Sequence, residues 1–104
     1  MIEIKDGNYK AQTSNGYVLL DIWMESCQPC IRLTPILEEI ANEVPNLKIV
    51  KMNPNDSEEN MSSVLDLGVR SVPALFLFKN GAIVHQWVGF KSKPELMKLV
   101  DSYR

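Results

Sequence analysis

Cys27 and Cys30 are the only two thiols in the 104-residue chain, and they stand three residues apart. Side chains at i and i+3 on a first helical turn lie on one face, close enough to pair covalently. The apolar run Tyr17-Val18-Leu19-Leu20-Asp21-Ile22-Trp23 precedes the pair and a helical pattern follows it. Cys27-Gln28-Pro29-Cys30 therefore occupies a strand-to-helix junction. A helix start has free N–H groups and the positive end of the dipole, both of which favour thiolate over thiol. A thiolate of lowered pKa can attack a disulfide and then be displaced by a neighbouring thiol. The pattern points to dithiol–disulfide exchange, with Cys27 at the outer end as nucleophile and Cys30, one turn deeper, as the resolving thiol.

Other chemistries fit the pair less well. Zinc takes four ligands, and outside the pair the only other good candidate is His85, far along the sequence. A tetrathiolate site shared across a dimer is the metal reading that survives. A structural disulfide over so short a loop would restrict the unfolded chain very little. No metal or organic cofactor is expected. The rival from another class is a binding module whose thiols are incidental.

At 45% hydrophobic content, 104 residues are enough for one domain, residues 1–104, with an ordinary core. The net charge is −2, with no basic block or Arg–aromatic patch, so nucleic acid is not an expected partner. Met1-Ile2-Glu3-Ile4-Lys5-Asp6 lacks the apolar stretch of a signal peptide, and no run approaches membrane-spanning length. The expected form is a cytoplasmic monomer. In that compartment a lone cysteine pair is more often catalytic than structural.

The elements that must position the pair can be read in order. Ile2 to Ile4 reads as a short edge strand and Gly7 to Thr13 as a weak helix, broken at Ser14-Asn15-Gly16. Tyr17 to Trp23 is a strand apolar on both faces. From Pro29 to Val44, Leu33, Ile36, Leu37, Ile40, Ala41 and Val44 fall at helical spacing, with Pro35 expected to kink the helix. Leu47 to Asn53 is a third strand, and Asp56 or Ser57 caps a helix running to Leu67, where Gly68 stops it. Ala74 to Phe78 and Ala82 to Val88 form a hairpin across Lys79-Asn80-Gly81. Ser92-Lys93-Pro94-Glu95 is a capping box that opens a helix to Tyr103. Helices between the early strands imply parallel pairing and the closing hairpin is antiparallel. The fold class is α/β, a mixed sheet with helices on both faces.

Asp21 is the only charged residue in its strand. In a central strand its carboxyl is desolvated and its pKa rises toward neutrality, which suits it to take and return the proton of Cys30. A solvated Asp at a strand bend is the alternative. Trp23 reads as core packing under the motif, the scattered methionines as packing, and His85 as a strand-face residue with no catalytic part.

Over nearly its whole length the chain resembles the thioredoxin family. The resemblance rests on Leu20-Asp21-Ile22-Trp23, Cys27-Gln28-Pro29-Cys30 with Pro35-Ile36-Leu37, and Val50-Lys51-Met52-Asn53. It continues through Gly68-Val69-Arg70-Ser71-Val72-Pro73, Phe78-Lys79-Asn80-Gly81 and Val88-Gly89. The resemblance implies a thioredoxin fold of five strands in the order 1-3-2-4-5 and reduction of protein disulfides by a dithiol that a thioredoxin reductase restores. It makes Asp21 a buried acid and Lys51 its partner; without it, Lys51 reads as a strand-surface lysine. It makes Pro73 a cis proline facing the cysteines, leaving Val72 backbone groups free to pair with an extended client, and Gly89 the opening of the same groove. Gln28 and Pro29 form the rim.

The motif departs from the family pattern Trp-Cys-Gly-Pro-Cys at two places, Ser26 and Gln28, and Ile31 stands where a lysine is frequent. The dithiol and its proline are kept. The changes fall on redox potential, client contacts and recognition by the reductase, and they motivate a second reading, a specialised exchanger with one dedicated client.

Overall fold

Consecutive apolar residues in the central strands need cover on both faces. The computed structural model, which describes residues 1–104, supplies it with helices on either side of one five-stranded sheet. The strands are β1 (Ile2–Ile4), β2 (Tyr17–Ile22), β3 (Leu47–Met52), β4 (Ala74–Lys79) and β5 (Ala82–Val88). Their order is β1-β3-β2-β4-β5, as the resemblance implied. β3 pairs in parallel with β1 and β2, while β4 runs antiparallel to β2 and β5. The helices are α1 (Tyr9–Thr13), α2 (Gln28–Glu43), α3 (Glu58–Asp66) and α4 (Lys93–Tyr103).

Side chains alternate across a strand, so each strand feeds two cores. Tyr17, Leu19, Ile49, Leu75 and Leu77 pack under Leu33, Leu37 and Ile40 of α2 and Leu96 and Val100 of α4. Val18, Leu20, Ile22, Val50, Phe76 and Phe78 form the other core with Val64 of α3 and Tyr9 of α1. All six residues of β2 are buried. Asp21 lies on the first face, directly beside Lys51 of β3 on one side and Leu75 of β4 on the other.

Local signals set the element ends. Ser57 caps α3 by accepting from Asn60 N–H, and Ser92 and Glu95 close a reciprocal capping box at α4. Gly68, at φ +76, ends α3 with its N–H on the Leu65 carbonyl while Val69 N–H reaches Val64. Asn80 and Gly81, both at positive φ, make the two-residue hairpin turn. The third strand stops one residue short of the sequence reading. There the Asn53 side chain accepts from Asn55 N–H and starts a 3-10 turn, Pro54–Asp56, that periodicity did not signal.

Asn60 ties α3 to the rest of the molecule. Fully buried, it accepts from Gly7 N–H (2.8 Å) and donates to the carbonyls of Ile4 (2.8 Å) and Asn53 (2.9 Å). Gly7 is needed here: it sits at φ +70, and a Cβ would land on the Glu59 carbonyl.

Candidate active site

β2 delivers the chain to a four-residue loop, Trp23 to Ser26, and Cys27 then stands as the N-cap of α2. Its backbone is extended (φ −95°, ψ 104°), and its Sγ accepts the Cys30 N–H at 3.2 Å. A capping side chain ordinarily satisfies this orphan donor with oxygen; here sulfur does it. Pro29 sits in the first turn, where a missing N–H costs nothing. Cys27 and Cys30 are joined by a disulfide with Cα atoms 5.2 Å apart. Cys27 is half-buried and Cys30 fully buried, while Ser26 and Gln28 are exposed on either side of Cys27.

Cys30 belongs to the buried stripe of α2 with Leu33, Leu37 and Ile40. That stripe packs on the face of β2 that carries Tyr17, Leu19 and Asp21. Because α2 runs back over the sheet, its first turn covers the end of β2 where Asp21 lies. Asp21 has no solvent exposure, and neither of its carboxylate oxygens has a hydrogen-bond partner. Burial drives its pKa from 3.8 up to about 7, against the opposing pull of Lys51 and with a small push from Glu3. The reading of Asp21 as a solvated residue at a bend is overturned.

Lys51 is buried rather than on the surface. Its Nζ donates to Thr34 Oγ1 (3.1 Å) and lies 4.3 Å from the centre of the Trp23 ring. Thr34 Oγ1 in turn donates to the Cys30 carbonyl (3.3 Å). Lys51, Thr34 and Cys30 are thus joined by hydrogen bonds, and Asp21 stands beside Lys51 in the sheet register without bonding to it. Trp23, read as core, is half-buried and serves also as the seat of the Lys51 cation. Thr34 escaped the sequence reading. Its one signal was its place four residues after Cys30, where a helical threonine can bond the i−4 carbonyl.

β4 starts beside the end of β2, with Ala74 paired to Ile22; just before it the Val72–Pro73 peptide is cis and Pro73 is buried. Gly89 N–H donates to the Pro73 carbonyl (2.8 Å), which fixes the end of β5 against the start of β4. Gly89 has φ +102, and a Cβ there would meet nothing within 4 Å, so the space in front of it is open. Val72 is half-buried, and the backbone hydrogen bonds of the turns and loops include none from it. Three further contacts, two of them near the site, had no sequence signal because they join distant segments. Asn53 Nδ2 donates to Glu25 Oε1 (2.9 Å), Arg32 lies 5.1 Å over the ring of Phe90, and His85 Nδ1 stands 3.2 Å from the Tyr103 hydroxyl, away from the cysteines. No group of three or more His, Cys, Asp or Glu side chains is placed to hold a metal ion.

Comparison with known proteins points one way. The sequence model of the family described as Thioredoxin matches residues 1–102. Thioredoxin of Bacillus subtilis is 39% identical over 104 residues, which covers 99% of this chain and 97% of that protein. Thioredoxin of Listeria monocytogenes is 40% identical over 102 residues, 97% of this chain and 96% of the other. The solved structure of Plasmodium falciparum thioredoxin superposes over 100% of both chains with a TM-score of 0.86 at 22% identity, a likeness of fold.

Proposed function

The chain belongs to the thioredoxin family and is a thiol–disulfide oxidoreductase, and we propose that Cys27 is its attacking sulfur, Cys30 its resolving thiol and Asp21 the group that handles the Cys30 proton. One observation carries the assignment: Cys27 Sγ caps α2 and receives a backbone N–H, while its bonded partner Cys30 has no solvent exposure. Only Cys27 can meet a protein disulfide, and only its sulfur gains from the helix start.

In the reduced protein the Cys27 thiolate attacks one sulfur of a client disulfide. A Cys27–client bond forms, the client S–S bond breaks, and the other client sulfur leaves as a thiolate that takes a proton from water. Cys30 then loses its proton to the Asp21 carboxylate and attacks Cys27 Sγ. The Cys27–Cys30 bond forms, the second client sulfur departs and takes up a proton, and two electrons have passed to the client. A carboxyl with a pKa of about 7 can both accept and release a proton near neutral pH. Lys51 favours the charged carboxyl, partly offsetting its burial, and, through Thr34, steadies the first turn of α2.

Clients are read as extended segments lying across Val72, Pro73 and Gly89, with Gln28 and Pro29 at the rim. The free Val72 backbone and the open space before Gly89 support this placement. A flavin-dependent thioredoxin reductase restores the dithiol, and the protein works as a cytoplasmic monomer; no helix is long and apolar enough to cross a membrane. Ser26 and Gln28 favour a narrower client range than the family's general reductants, since both immediate neighbours of Cys27 are polar.

Trapping tests the roles. Cys30→Ser should accumulate mixed disulfides with protein clients, and Cys27→Ser should capture almost none. Equal capture by both variants refutes the order of attack. Turnover with NADPH and thioredoxin reductase, compared with dithiothreitol, tests the supply of electrons.

A further inference from the structure

Phe90 stands immediately after Gly89 and is 41% exposed. The Gly89–Pro73 hydrogen bond anchors this segment at the mouth of the groove. The Phe90 ring rests on Arg32, two residues past Cys30 and about 6 Å along α2 from its first residue. The pair therefore makes a wall one turn beyond Gln28, on the rim where Ser26 and Gln28 offer little apolar contact.

Arg32 contributes charge as well as support. No carboxylate of the chain pairs with it, and the same holds for Arg70, three residues before Pro73. Glu25, the carboxylate in the loop before Cys27, accepts a hydrogen bond from Asn53. A chain of net charge −2 thus presents unpaired cations at this end. A guanidinium laid over a ring keeps its N–H edge free for a carboxylate.

We propose that Phe90, supported by Arg32, determines client specificity by selecting disulfides flanked by an aromatic or bulky apolar side chain and a carboxylate. This inference rests on the reading that clients lie along Pro73 and Gly89. The exposed ring face takes the apolar side chain, and the Arg32 edge takes the acid. Partial burial of one aromatic contact corresponds to about tenfold in apparent affinity, and one exposed charge pair to about 2–5-fold.

The test uses the full chain and two short peptides, each with one internal disulfide. One carries Phe and Asp beside its cysteine, the other Gly and Lys. The unaltered protein should favour the first peptide in kcat/KM. Phe90→Ala should shrink that preference about tenfold, chiefly through a higher KM, and Phe90→Leu should restore part of it. Arg32→Glu should also shrink the preference for the first peptide, by more than the about 2–5-fold of one charge pair, because repulsion of its Asp replaces attraction. An unchanged preference in Phe90→Ala, or in Arg32→Glu, overturns the proposal. Capture by the Cys30→Ser variant separates this failure from failure of the underlying reading. Capture of both peptides at equal rates sinks the Phe90 assignment alone, whereas capture of neither at Cys27 brings down the groove reading and Phe90 with it.

Discussion

Asp21→Asn tests the buried acid through stability, before any catalysis is measured. In the native protein the Asp21 pKa is raised by burial to about 7, against 3.8 for the unrestrained group. Between those values the native state holds the Asp21 proton and the unfolded state has released it. Unfolding therefore releases a proton, and stability must fall as pH rises from about 4 to about 7. Above about 7 the carboxyl is charged in both states and the loss is complete. At 1.36 kcal/mol per unit the full loss is about 4 kcal/mol. Asparagine cannot ionise and escapes it. The amide is not free of cost, because the two carboxylate oxygens it replaces have no hydrogen-bond partners and its own N–H donors would be buried unpaired, at about 1–3 kcal/mol. That cost is the same at every pH.

The diagnostic is therefore the pH dependence of the difference between variant and parent, rather than its size at one pH. The oxidised form is the one to use, since disulfide-bonded Cys27 and Cys30 do not titrate and every other group cancels between the two proteins. Urea unfolding at intervals from pH 4 to 8.5 should show Asp21→Asn gaining on the parent by about 4 kcal/mol across that range. With an m-value of about 2 kcal/mol/M this is a relative shift of about 2 M in the midpoint. The gain should begin near pH 4, flatten above pH 7, and leave m unchanged. A difference that is flat with pH refutes the raised pKa and, with it, the assignment of Asp21 as the proton acceptor for Cys30.

Asn60→Ala should cost about 3–5 kcal/mol in urea unfolding, because it orphans the Gly7 N–H and the carbonyls of Ile4 and Asn53 together. A loss under 1 kcal/mol would show that water replaces all three bonds. Gly89→Ala should lose about 1–3 kcal/mol from its backbone at φ +102 and, because its Cβ projects into open space, should also raise KM for protein clients. Loss of stability with KM unchanged would place clients elsewhere. Ser26→Trp with Gln28→Gly should lower KM for generic protein disulfides while kcat changes little, the mark of added uniform binding. A shifted redox potential at constant KM would mean that the two residues tune the disulfide itself, and the single-client reading would then be preferred.

The parts of the site that were legible in sequence are those whose physics is local. Cys27 and Cys30 are bound to one helical turn by their spacing, and Pro29 marks that turn as the first. Asp21 announced itself as one charge among apolar neighbours, so its burial followed once its strand was central. Lys51 gave no such sign, since its neighbours along the chain suit a surface strand equally well. What buries it is the register of β3 against β2 and the arrival of Thr34 from α2, both decided by tertiary packing. The same holds for the isomer at Val72–Pro73, which the family resemblance supplied and local preference does not specify. Arg32 and Phe90 are 58 positions apart, and each alone is an unremarked surface residue. Their meeting required β5 to return its end to Pro73, where the Gly89 hydrogen bond holds it. Exchange chemistry is thus written into one turn of helix, whereas the choice of client falls to contacts that exist only after the sheet has closed.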